Sequence, residues 1–72
     1  MPNSTYKVIE IIGSSENSWE EAVKNAVEDA SHHLKDLRIC EVEKLDVKLK
    51  DNKVFSYRAR VKLSFKYLNE EG

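Results

Sequence analysis

The chain is 72 residues long, 40% hydrophobic and 35% charged, which allows one domain with a small core and no more. Twelve basic and thirteen acidic residues leave a net charge of −1, without the basic excess of a nucleic-acid binder. No apolar run approaches the roughly 20 residues that span a bilayer, so neither nucleic acid nor membrane is expected as a partner.

Ordering so short a chain costs roughly 1.5 kcal/mol per residue, and domains of this size usually add disulfides, a metal or partner subunits. Cys40 is the only cysteine, so an intrachain disulfide is excluded and a metal or self-association remains. Residues 1–6 lack the features of a signal peptide, and the chain is expected to be cytoplasmic.

Residues 5–12 (TYKVIEII) are rich in β-branched and aromatic types and predict a strand. The polar stretch 13–17 (GSSEN) follows as a loop. Ser18 then opens a helix with the capping box S-W-E-E, in which its hydroxyl accepts from the Glu21 amide and the Glu21 carboxylate reaches back. Glu20 and Glu21 also set negative charge against the helix N-terminal dipole.

Apolar residues then recur at helical spacing at Trp19, Ala22, Val23, Ala26, Val27, Ala30, Leu34 and Leu37. Glu20, Glu21, Lys24, Glu28, Asp29, Lys35 and Asp36 take the other face. The pattern predicts an amphipathic helix of about 18 residues, roughly 27 Å long, whose alanines imply close packing. Trp19 falls in the apolar stripe and is read as a packing residue.

Residues 38–50 read as a second strand with a change of parity. Cys40 and Val42 alternate on one count, and Leu45, Val47 and Leu49 on the other. A one-residue bulge near Glu43 and Lys44 puts both sets on one face. Asp51 and Asn52 form a turn, and residues 54–67 make the third strand. There Phe55, Tyr57, Ala59, Val61, Leu63, Phe65 and Tyr67 face one way, against Ser56, Arg58, Arg60, Lys62, Ser64 and Lys66.

The two long strands extend roughly 40 to 50 Å at about 3.3 Å per residue. One helix cannot cover so long an apolar face, so the remainder, including Phe65 and Tyr67, is expected to meet another subunit. Residues 1–72 form a single domain with an ordered core from about 5 to 67, and the tail 69–72 is expected to fray.

Three segments carry a family resemblance across residues 5–67. They are YKVIEIIGSS (Tyr6 onward), SWEEAV (Ser18 onward) and YRARVKLSFK (Tyr57 onward). In that order, and in a chain of this length, they resemble the dodecins. The resemblance implies an α+β fold of order β-α-β-β, a three-stranded antiparallel sheet wrapped around one helix. It further implies twelve subunits in a hollow shell, a homododecamer that binds a ligand and is not an enzyme.

In typical dodecins flavin (riboflavin or FMN) stacks on a tryptophan early in the second strand, and a glutamine in the third strand hydrogen-bonds to it. Here those positions fall at Ile39, in RICEV, and at Arg58, in YRA. Ile39 offers no ring, and aromatic pairs are worth about 0.5 to 1.5 kcal/mol beyond area burial. Arg58 donates hydrogen bonds but brings charge to a place built for a neutral amide. Both changes weigh against tight flavin binding.

The chain is also similar to a tryptophan-lacking branch described as calcium dodecins. That likeness makes Ca²⁺ the leading alternative ligand. There is no EF-hand loop, so a cation site has to be assembled from carboxylates of several elements or subunits. Glu41, Glu43 and Asp46 are the candidates.

Other chemistries find less support. Lys44, Lys48, Lys50, Arg58, Arg60, Lys62 and Lys66 give the hairpin a basic polar face facing few acids. Such a face suits phosphorylated ligands such as FMN or coenzyme A, which some dodecins hold, or simply solvent. No aromatic residue lies on that face to stack bases. His32 and His33 are adjacent and diverge by about 100° on a helix. Gly13 and Gly72 are the only glycines, so there is no phosphate loop. No nucleophile, base and acid stand in a catalytic pattern.

Overall fold

The computed structural model describes residues 5–66. The elements run β1 (Tyr6–Ser15), α1 (Trp19–Ser31), β2 (Leu37–Lys50) and β3 (Lys53–Lys66). The sheet order is β1-β3-β2, and β3 is antiparallel to both neighbours. The helix therefore carries the chain from one edge strand to the other across the central strand.

Ser18 caps α1 from an extended backbone, φ −166° and ψ 162°, and its hydroxyl accepts from the Glu21 amide at 3.0 Å. The reciprocal half of the expected capping box is absent. The Glu21 carboxylate accepts from Ser15 Oγ and from Asn17 Nδ2 instead, while the Ser18 amide donates to Ser15 Oγ at 3.4 Å. These hydrogen bonds, Ser15 first and Asn17 second, hold the Glu21 carboxyl below its ordinary value.

The helix ends at Ser31, not at Leu37. Ser31, His32 and His33 form helix poorly, and the chain leaves through a turn in which His33 and Leu34 both donate to the Ala30 carbonyl. Asp36 then adopts φ 60° and turns the backbone into β2. Leu34 and Leu37 still pack on the core from outside the helix. The apolar spacing thus outlasted the helix that it suggested.

The core is an interface of small residues. Ala22, Ala26 and Ala30 of α1 meet Ala59, Val61 and Leu63 of β3. Burying a side chain such as Leu63 or Val61, both fully enclosed, is worth about 1.5 to 3 kcal/mol. Gly13 lets the helix lie this close, since a Cβ there would run into the Ala22 carbonyl and the Ala26 methyl. Asn25 Nδ2 fastens the same edge by donating to the Ser14 carbonyl at 3.0 Å.

The β2–β3 hairpin closes through Asp51 (φ 54°) and Asn52 (φ 63°), a two-residue turn of the type that matches strand twist. The register shifts between Val42 and Lys44, as the parity change requires, so Glu43 is the bulged residue. A second shift leaves Arg38 unopposed, and a third leaves Phe55 unopposed on β3. The alternation along β3 therefore fails at its start, where Val54 and Phe55 are both exposed and Ser56 is buried.

At 13 residues, α1 spans only about 20 Å, against about 46 Å for a 14-residue strand. It lies on β1 and β3 and leaves the helix-side face of β2 open. Val42, Leu45 and Leu49 remain exposed there.

Candidate functional site

The chemistry-bearing residues collect on the face of the sheet opposite the helix. Registration across the three strands arranges them in four rows: Val8–Ser64–Ile39, Glu10–Lys62–Glu41, Ile12–Arg60–Lys44 and Ser14–Arg58–Asp46. One end of the face is apolar and exposed, and the rest is charged.

The row at Asp46 is the most tightly built. Arg58 Nε and Nη2 donate to the two carboxylate oxygens of Asp46 at 2.8 and 3.0 Å, a bidentate fork. That fork, ahead of any other influence, holds the Asp46 carboxyl below its ordinary value and raises the Arg58 guanidinium. The backbone carbonyl of Asp46 accepts from the Trp19 indole at 2.9 Å. Trp19 also meets Tyr57 edge-on, with ring centroids 5.1 Å apart. Trp19 is thus a packing residue with its polar edge committed, though half-exposed.

Lys62 lies in register between Glu10 and Glu41 and makes an ion pair with Glu43 at 3.4 Å. The face is therefore interleaved rather than simply basic. Two of its cations already hold carboxylates, whereas Arg60 and Lys44 oppose each other.

The residues singled out in the sequence occupy this face without converging in one chain. Ile39 is level with Ser64, and Arg58 lies six positions further along β3, roughly 20 Å away. Glu41 and Asp46 are level with Lys62 and Arg58, some 13 Å apart along the strand. Among the described residues no group of three or more His, Cys, Asp or Glu side chains could hold a metal ion. Ile39 borders only a shallow hollow of about 130 Å³, beside Val27, Leu37 and Leu63, well below the roughly 300 Å³ of an ordinary ligand pocket. Cys40 lines the same hollow, and partial burial pushes its thiol up, away from the reactive thiolate.

The fork between Asp46 and Arg58 and the anchoring of Trp19 were not anticipated from the sequence. Counting back from the Asp51–Asn52 turn without the bulge at Phe55 sets Asp46 opposite Tyr57. Nothing in the residue types marks that bulge. No helix among the described residues is long and apolar enough to cross a membrane.

Residues 5–68 match the family model described as Dodecin. A curated relative, the calcium dodecin of Mycobacterium tuberculosis, is 40% identical over 63 residues, 88% of this chain and 89% of its own length. Among solved structures, dodecin from Streptomyces coelicolor superposes with a TM-score of 0.90 at 35% identity, covering 96% of this chain and 99% of that one. The calcium dodecin of M. tuberculosis, described as calcium-chelating with a novel calcium-binding site, superposes with a TM-score of 0.82 at 36% identity, covering 96% and 99%.

Proposed function

The chain belongs to the dodecin family, and we propose on that footing that it is a non-enzymatic binding and storage protein working as a homododecameric shell. The observation that carries this reading is the open helix-side face of β2. Val42, Leu45 and Leu49 lie exposed beside a core that a short helix covers only in part. A surface of this kind is stable in water when a second chain covers it.

The ligand sites follow the same logic. Ile39 and Arg58 sit on one face but too far apart to touch one small molecule, and Glu41, Glu43 and Asp46 do not converge. Sites built from these residues are completed between subunits. Native mass spectrometry on protein purified without ligand or chelator tests the assembly. Twelve chains is the expected count, and a lone chain overturns the reading.

Of the ligand classes, a divalent cation such as Ca²⁺ is favoured over flavin. Ile39 has no ring to stack on isoalloxazine, and a relative at 40% identity is a calcium dodecin. Of the three carboxylates Asp46 is the least available to such a site, because both its oxygens are committed to Arg58, whereas Glu43 gives one oxygen to Lys62 and Glu41 lies level with that lysine. A rise in melting temperature with calcium, reversed by chelator, is the expected result. An unchanged melting temperature removes the cation, and quenching of riboflavin or FMN fluorescence on titration returns flavin to first place.

A further inference from the structure

We propose that Lys44 and Arg60 form a binding site for a tetrahedral oxyanion, a phosphate group in the first place, on the face of the sheet opposite the helix. Both residues belong to one chain, so the site goes beyond the reading of the chain as a shell and does not rest on it.

Lys44 and Arg60 are Cα partners across β2 and β3, and both are exposed. Their side chains therefore leave the same face, with Cβ atoms about 5 Å apart. Like charges placed directly opposite each other destabilise a sheet. Ile12 of β1 completes the row and brings no countercharge. Among the described residues the ion pairs are Arg58 with Asp46 and Lys62 with Glu43, and neither Lys44 nor Arg60 has a carboxylate partner.

The bulge in β2 is what creates this pair. Continued without a bulge from Val42 opposite Val61, the ladder would set Glu43 opposite Arg60, a pair of opposite charge. The register shift instead moves Glu43 aside and sets Lys44 there. Glu43 turns to Lys62 at 3.4 Å. A local conflict of this kind, where the neighbouring rows match their cations with acids, is the mark of a position used for something other than stability.

The flanking rows confine an anion to this one. Two residues along the strands, about 7 Å away, Asp46 has both carboxylate oxygens in the Arg58 fork. Its carboxyl is lowered first by that hydrogen bonding and further by the charge of Arg60, so the unmatched guanidinium is felt a full row away. On the other side Glu10 and Glu41 are level with Lys62, and that row repels an anion. The chemistry of the pair suits phosphate. A guanidinium offers a flat fork to two oxygens, and an ammonium offers a donor that a third can meet. A carboxylate, with two oxygens and one charge, satisfies only half of the pair.

Titration calorimetry of the whole protein with inorganic phosphate, at an ionic strength held constant with chloride, tests this. Binding is expected, and it should weaken roughly tenfold in Lys44→Gln and in Arg60→Gln, the loss of one charged hydrogen bond. It should be unchanged in Lys24→Gln, which removes the same charge from α1. No binding to the parent overturns the inference. So does binding that survives both substitutions in the row, or an equal loss in Lys24→Gln. Thermal unfolding gives a second readout. Without phosphate, Lys44→Gln should melt above the parent, and added phosphate should raise the parent but not the variant. A variant raised by phosphate as much as the parent overturns the site. Glycerol phosphate titrated alongside separates the sources of the group. Equal affinity assigns the site to free phosphate and tighter binding to a phosphorylated molecule, and either result upholds it.

Discussion

Asp46 is held from two directions, its carboxylate by the guanidinium of Arg58 at 2.8 and 3.0 Å and its carbonyl by the indole of Trp19 at 2.9 Å. The start of the helix and the middle of the hairpin are thereby fastened at one residue. The fork also decides what Asp46 can do, because a carboxylate with both oxygens committed is a poor metal ligand until Arg58 leaves.

The fork has a pH signature. Asp46 has its carboxyl lowered from the ordinary 3.8 by Arg58, so its contribution is complete above that value and is lost as pH falls through the lowered one. In a carboxylate titration followed by NMR, the midpoint of Asp46 is expected below 3.8 and should return upward in Arg58→Gln. A midpoint unmoved by that substitution would mean that the fork does not persist in solution.

Gly13 is where the sheet admits the helix. Gly13→Ala forces the added Cβ into the Ala22 carbonyl and the Ala26 methyl, and overpacking of this kind costs about 1 to 3 kcal/mol. Thermal unfolding of the variant should move down by several degrees for each kcal/mol lost. A melting temperature equal to the parent's would contradict so close a packing.

Ser18 caps the helix through its hydroxyl. Ser18→Ala is expected to cost about 1 kcal/mol, read by denaturant unfolding. Glu21→Gln should leave the Ser18 cap in place, because the Glu21 carboxylate bonds Ser15 and Asn17 and not the Ser18 amide.

Ile39 tests the ligand. Ile39→Trp places a ring on the exposed apolar row of the sheet, and riboflavin fluorescence should be quenched more strongly than by the parent, further still with Arg58→Gln added. Unchanged quenching in an intact assembly would mean that the residue at position 39 does not decide whether flavin binds.

Much of the fold could be read from residues whose physics is local. The turn at Asp51 and Asn52 followed from the tolerance of those side chains for the left-handed region. The bulge at Glu43 followed from the parity change between Val42 and Leu45. Leu34 and Leu37 misled because residues that keep helical spacing also pack from a turn, and only the weak helix formers Ser31, His32 and His33 marked the stop. The charged face was harder to read, since whether Asp46 meets Arg58 or Tyr57 depends on a single unopposed residue, Phe55. Tyr67, expected at a subunit contact, lies outside the described residues, whereas Phe65 is half-buried on β3.

We propose that the open face of the hairpin belongs to an assembly. Native mass spectrometry of the unaltered chain beside Leu45→Asp tests it most directly, because Leu45 lies exposed on that face and a charge buried at a contact without a partner is strongly destabilising. Twelve chains for the parent and smaller species for the variant are the expected result. A parent that flies as a lone chain, or a variant that keeps all twelve, would contradict it.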